Sequence, residues 1–480
     1  MQRPVIASFF LFAAFSAAAQ ERFGISHSNY AGADGAYLNP ARLAGQWPYA
    51  DIRVLGADLY AWNSLVAWSH RTSPLIGEVR EGIAGNTAGE VVMRNTLSTR
   101  QERGFVQANV LAPAFSLSLG RGTIAAGIRT RTYTSVTGPS NELGELMFRG
   151  LAYVPLHGTR YQESGMRVLA AAWTEIGASY GHILKAEGFS MFSAGASVHY
   201  NLGHAGGGAQ FDDLDFTLVD TARLVVHDVT ARYGFALPEV KAGSGWGADV
   251  GVSYERTMDE ADSYLPHRVS GSCDPMRYRY RIGLSLIDLG GIRFKNGHSG
   301  TIRAGSLDIA DHTNVPVNDA DDLDSLFAAT SNWTQNDAFS IGAPTALSLQ
   351  YDQRIVDNAY VALAAVQQIS GRHGTRLRRT NSIAITPRFE TRYFEVAVPI
   401  VMHEYIVRRP SVGFMMRVNG LVVGSDHVLP FIDRSDVYAA DFYVRLRWLI
   451  HRSPFCKGKR ASPARHRVGT TQALPCAQPN

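Results

Sequence analysis

Polar and apolar residues alternate one by one along much of this chain. In Arg277–Leu286 (RYRYRIGLSL), Tyr278, Tyr280, Ile282, Leu284 and Leu286 fall on one side, and Arg277, Arg279, Arg281, Gly283 and Ser285 on the other. A period of two belongs to a β-strand, which sends successive side chains to opposite faces. Tyr438–Ile450 repeats the pattern, with Phe442, Val444, Leu446, Trp448 and Ile450 opposite Asp441, Tyr443, Arg445 and Arg447. Rows of arginine cannot enter a dry sandwich core without partners. They suit a wet lumen whose other face meets lipid, so Arg277, Arg279, Arg281, Asp441, Arg445 and Arg447 are expected to face a lumen.

The spacing of breaks supports the same architecture. Tight turns stand at Gly120-Arg121-Gly122, Lys185-Ala186-Glu187-Gly188, Asp357-Asn358 and Asn419-Gly420; Asn-Gly is the strongest two-residue hairpin signal. They alternate with long polar insertions at roughly 71–103, 138–165, 203–244, 258–276 and 306–342. Short turns at one end and long loops at the other describe an outer-membrane barrel. The expected fold is all-β, a transmembrane antiparallel β-barrel of about 14 strands (roughly 12–16), with long extracellular loops and an N-terminal plug-like segment. A propeller would show a repeat of about 40–50 residues, and none is visible.

The chain ends divide from this body. Arg3, the apolar run Pro4–Ser16 and Ala17-Ala18-Ala19 have the order of a secretory signal peptide with an A-x-A cleavage site. The apolar run is shorter than the ~20 residues a helix needs to span a bilayer. The expected division is 1–19 signal peptide, 20–50 plug-like segment, 51–450 barrel, and 451–480 a basic, disordered periplasmic tail. The apparent basicity, 46 Lys+Arg against 42 Asp+Glu, belongs to that tail: 451–480 holds six basic residues and no acidic one. The body has no basic excess, and a nucleic-acid partner is not expected. Of three cysteines, Cys456 and Cys476 can pair within the tail, which leaves Cys273 odd.

Several segments together carry a family resemblance: Ser28-Asn29-Tyr30-Ala31-Gly32, Leu38-Asn39-Pro40-Ala41, Pro113–Gly120, Trp173–Gly177, Tyr280–Gly290, Pro344–Leu349 and Ile385–Val398. The chain resembles, from about Phe23 to Ile450, an uncharacterised family of Bacteroidota outer-membrane β-barrel proteins. Asn39-Pro40-Ala41 is also similar to the N-terminal segment of FadL-type channels for hydrophobic compounds. That resemblance implies a plug in the lumen and a hydrophobic small molecule as cargo. On the residues alone, Asn before Pro is a turn motif.

Catalytic and metal signals are weak. Gly177-Ala178-Ser179-Tyr180-Gly181 matches G-x-S-x-G, but a nucleophile elbow needs a strand, a sharp turn and a helix, and this match lies within a strand pattern. Ser179 and His182 fall on opposite faces of a regular strand. The Asp319, Asp321, Asp322, Asp324 cluster lacks the glycine and glutamate of an EF-hand loop. Gly206-Gly207-Gly208 and Gly243-Ser244-Gly245 read as flexible loops. Tyr60, Trp62, Trp246, Tyr254, Tyr393, Phe394, Tyr438 and Trp448 fit aromatic girdles at the membrane interfaces. The expected protein is not an enzyme and needs no cofactor. It is a passive outer-membrane channel or transporter for hydrophobic or small solutes, with outer-membrane lipid as its surroundings. Alternatives are a non-conducting barrel with periplasmic or secretion partners and, less favoured, an outer-membrane lipid hydrolase.

Overall fold

Alternation closes into a ring. The computed structural model describes residues 22–69, 90–93, 101–262, 264–268, 273–295, 297–309, 334–336, 338–369, 375–429 and 436–456. The signal-peptide segment, most of the tail and the aspartate cluster lie outside the described residues. Fourteen antiparallel staves form the barrel. The first seven are β1 (Ala50–Asn63), β2 (Arg103–Leu119), β3 (Gly122–Thr137), β4 (Arg160–Glu187), β5 (Ser190–Leu218), β6 (Gly243–Thr257) and β7 (Tyr278–Phe294). Then come β8 (Ala346–Val356), β9 (Ala359–Gln368), β10 (Ser382–Glu390), β11 (Phe394–Ala397 with Ile400–His403), β12 (Ser411–Val412 with Phe414–Val418), β13 (Leu421–Ser425) and β14 (Ala439–Ile450). β1 pairs with β2 on one side and β14 on the other, from Ala50↔Ile450 to Trp62↔Ala439, so no edge is left. Closure satisfies the backbone without water, which a membrane-spanning sheet requires.

The outer face is apolar around the circumference. Ile52, Val110, Ile176, Val198, Val250, Leu284, Leu349, Leu363 and Leu446 are all exposed, a belt expected against hydrocarbon. Trp246 towards the long-loop end, and Tyr393 and Trp448 towards the short-turn end, are also exposed and suit the girdles. Tyr60, Trp62 and Tyr438 do not. They turn inward and form a buried cluster with Phe105.

Three further expectations are corrected. The 203–244 stretch is not an irregular insertion. β5 continues through it to Leu218, and its upper half pairs with a returning strand, Leu224–Ala236. That strand pairs in turn with His298–Ala304, so the wall rises beyond the ring. Secondly, the glycine runs are packing sites rather than loops. A Cβ at Gly206 would meet the Phe294 ring at 2.5 Å, and one at Gly245 would meet the Gly291 carbonyl oxygen at 1.9 Å. Thirdly, Cys456 pairs with Cys273, not within the tail. The bond ties the chain just after β14 to the segment between β6 and β7.

Candidate functional site: the filled lumen

The lumen is occupied by the chain's own N-terminal segment. Three short turns of helix, Phe23–Ser26, Gly32–Tyr37 and Pro40–Gly45, lie inside the ring, and nearly every residue from Arg22 to Gln46 is buried. Asn39 caps the third turn: its side-chain oxygen accepts from the Ala41 amide at 3.0 Å. Pro40 follows at the first position, where its missing N–H costs nothing. The Asn39 side-chain amide donates to the Val252 carbonyl at 3.0 Å and to Gln350 at 2.9 Å. The wall makes room for this turn by omitting side chains. Gly181, Gly195 and Gly251 stand in direct register across β4, β5 and β6. A Cβ on Gly195 would sit 2.4 Å from the Pro40 carbonyl carbon, one on Gly181 2.8 Å from the Ala44 nitrogen, and one on Gly251 2.2 Å from Asn39 Oδ1. The three glycines form a groove, and the Asn-Pro-Ala turn lies in it.

Buried ion pairs hold the segment to the opposite wall. Asp34 receives Arg53 of β1 and Arg445 of β14, the latter at 2.9 Å. Arg445 also meets Asp58, and Arg22 meets Asp58 at 2.9 Å. Arg447 binds Asp51 at 2.9 Å and donates to the Tyr30 and Ala31 carbonyls, each at 2.8 Å. Asn29 bonds Glu390, Ser28 bonds Glu395, and the Phe23 amide donates to Asp426 at 2.8 Å. These groups belong to β1, β10, β11, β14 and the residue following β13, so the segment is fastened around much of the ring. Removing one partner from such a buried pair costs far more than a surface pair is worth. Burial pushes the Asp34 carboxyl up, but Arg445 and Arg53 more than offset it and hold it well below the usual carboxylate range. Burial, with Arg42 adding repulsion, lowers His27 to about 3. His27 is neutral at physiological pH, with neither ring nitrogen hydrogen-bonded.

The short-turn end is covered. The His267 ring packs edge-on against Tyr49 and reaches the Gln46 carbonyl at 3.4 Å. The Cys273–Cys456 bond fastens the segment that carries His267, and Cys456 itself is buried. Among the described residues the lumen holds small voids, such as one of about 20 Å³ beside Tyr37, Arg129 and Asp288. The long-loop end differs: a vestibule of about 790 Å³ is lined by Arg103, Arg167, Arg232, Arg376 and Arg378 with glutamine, asparagine, serine and threonine. Beneath it, Asp288 gathers Arg379 at 2.6 Å and Arg131 at 2.7 Å, and Arg131 reaches Glu175 at 2.9 Å.

Of the residues singled out from the sequence, the structure brings Asn39, Pro40, Ala41, Arg281, Asp441, Arg445 and Arg447 into the lumen, all buried. Arg277 and Arg279 are not among them. Arg277 precedes β7 and is exposed, and a β-bulge at Tyr278/Tyr280 leaves Arg279 exposed while Tyr278 turns in. One extra residue reverses which side chains face inward. Arg281 faces in and binds Glu255 at 2.7 Å. Asp34, Asp58, Glu175 and Asp288 were missed, because an acid is informative only beside the arginine it meets, and Asp34 and Arg445 are 411 positions apart. Ser179 bonds Ser197 at 2.8 Å, whereas His182 contacts the Tyr180 hydroxyl at 2.9 Å. Gly181 of that motif has its role in the groove. Among the described residues no cluster of metal-ligating side chains occurs, and no helix is long and apolar enough to cross a membrane.

A family model, described as a family of unknown function (DUF5723), matches residues 81–426. The chain belongs to this family. No curated protein matches it. Among solved structures, this DUF5723 member is similar to the Ralstonia pickettii toluene transporter TbuX, at 10% identity over 88% of this chain and 94% of that one, with a TM-score of 0.41. The P. putida toluene transporter TodX matches at 10% identity over 87% and 92%, TM-score 0.37. A Pseudomonas aeruginosa FadL homologue matches at 10% over 87% and 94%, TM-score 0.21.

Proposed function

We propose that this protein is an outer-membrane transport barrel for small solutes, held shut by its own N-terminal segment. The observation that carries the reading is the way the segment is fastened. Its apolar side chains pack on the wall, Phe23 and Leu38 with Ile287 and Val401, and Ile25 with Met415 and Val422, while its position is set by a glycine groove on one side and by separable ion pairs on the other. Buried ion pairs seldom add net stability over apolar packing, so the polar anchors fix where the segment sits more than how firmly it is held. A body positioned by such anchors can leave and return to the same place. Solutes enter through the long-loop vestibule and pass when the segment shifts. The resemblance to FadL-type channels adds hydrophobic compounds as a cargo class, and the signal-peptide pattern of residues 1–19 supports an outer-membrane location.

Planar-bilayer recordings test this. The mature protein is expected to be nearly silent, and deletion of residues 22–46 is expected to give steady conductance. A deletion variant that migrates as a folded barrel in unboiled gels yet stays silent refutes the channel. The second reading, a non-conducting anchor, draws on the disulfide-tied cover at the short-turn end and predicts that outcome.

A further inference from the structure

We infer that the vestibule at the long-loop end is a binding site for a water-soluble, multiply charged anion, with carboxylate or phosphate groups on a hydrophilic skeleton. Among the described lining residues of this cavity of about 790 Å³, five are arginines and one, Asp212, is acidic; no lining side chain is aliphatic or aromatic. Among the described residues the nearby carboxylates do not balance the charge. Glu404 serves both Arg103 and Arg378, and Asp212 serves Arg232 at 3.1 Å. Among the described residues Arg376 is anchored on neutral oxygens alone: the Gly290 and Ala343 carbonyls at 3.3 and 3.2 Å and the Thr345 hydroxyl at 2.7 Å. Its guanidinium is thereby fixed, with no carboxylate among the described residues to offset its charge. Burial lowers the Arg378 pKa; Glu404 opposes this, and Arg103 and Arg167 add repulsion. Arg378 Nε has no hydrogen-bond partner.

A concave site with walls of one sign focuses its field and concentrates counter-ions. Fixed guanidinium forks match the two oxygens of a carboxylate or phosphate. The glutamine, asparagine, serine and threonine of the lining offer hydrogen bonds to hydroxyls between the charged groups. A hydrocarbon gains nothing from such a wall, since it would only desolvate the arginines. The site does not require that the barrel conduct, so its failure leaves the plugged channel standing, and the reverse.

Isothermal titration of the purified full-length barrel in detergent, at low salt, tests the assignment with glucose 6-phosphate, citrate, glucose and dodecyl phosphate. Glucose 6-phosphate and citrate are expected to bind at least about tenfold more tightly than glucose, a difference of about 1.4 kcal/mol. Their affinity is expected to fall as salt is raised. The double variant Arg376→Gln/Arg378→Gln, and separately Arg167→Gln on the β4 wall, are expected to weaken both anions at least tenfold. Lys185→Gln, exposed at the other end, is expected to bind as wild type. Unboiled gel mobility reports whether each variant is folded. Equal affinity for glucose and its phosphate overturns the inference, as do folded variants that keep wild-type anion affinity. Much tighter binding of dodecyl phosphate than of glucose 6-phosphate overturns the hydrophilic assignment and points to a lipid headgroup with its tail.

Discussion

Asp34 is the point at which the lumen segment is most sharply testable. Its carboxylate is shared by Arg53 and Arg445, and all three side chains are buried. Asp34→Ala leaves Arg445 with Asp58 but leaves Arg53 with Tyr37 Oη at 3.1 Å as its side-chain partner, together with a backbone carbonyl. Breaking a buried pair costs about 3–5 kcal/mol, and because Arg445 keeps one partner the lower end applies. If Tyr37 leaves with the segment, about 3 kcal/mol falls on the shut state, and the ratio of open to shut rises by about a hundredfold. Single-channel recording reads this as open fraction, and Asp34→Asn, which keeps one acceptor, should show a smaller rise. The pair should be insensitive to pH across the neutral range. A carboxylate whose pKa is depressed on folding contributes stability above its unfolded value, about 3.9, and loses it only as pH falls through the folded one. Wild-type open fraction together with wild-type thermal stability in Asp34→Ala would refute a role for Asp34 in holding the segment.

Other contacts give independent tests. His27, lowered to about 3 by burial, takes up its proton in the unfolded chain first, so stability drains away as pH falls below about 6.5. His27→Leu should remove about 1.4 kcal/mol per pH unit of that slope, seen as a smaller Tm difference between pH 7 and pH 5; an unchanged slope counts against it. Gly195→Ala places a Cβ against the backbone of Pro40 and should cost about 1–3 kcal/mol by overpacking, with open fraction rising even though no charge is touched. Reduction of the disulfide, or Cys273→Ser, frees the cover at the short-turn end and should cost about 2–4 kcal/mol. Limited proteolysis should then cut first between Thr257 and Tyr278; unchanged protection would show that packing alone holds the cover.

The barrel was legible because its evidence is local. Alternation in Tyr438–Ile450 marks both faces of β14 without reference to any partner, and Asn419-Gly420 announces its hairpin unaided. The Asn-Pro-Ala turn was likewise readable as a turn. Where that turn docks was not. Its receptor is three glycines on three strands, and a glycine in a strand pattern reads the same whether it marks a bend, a bulge or a close approach. The G-x-S-x-G match shows this, since its strand context sets aside a nucleophile elbow and yet nothing in the strand pattern marks Gly181 as the space that the turn occupies. Arg279 illustrates another limit. A bulge inserts one residue, leaves no compositional trace, and moves a charge from the inside to the outside. The ion pairs were invisible for a third reason, the length of chain between their members.

Arg445 has a consequence for assembly. It touches Asp58 on the first stave and Asp34 on the inserted segment while belonging to the last. The N-terminal segment is the first part of the barrel chain to leave the ribosome, yet partners that fasten it arrive only with residues 390–447. It must wait, only partly fastened, while twelve staves are laid down between the first and the last. Contacts so distant in sequence form late and slowly. Seam and segment therefore share one arginine as a latch, and the barrel becomes watertight in the same event that makes it a cylinder.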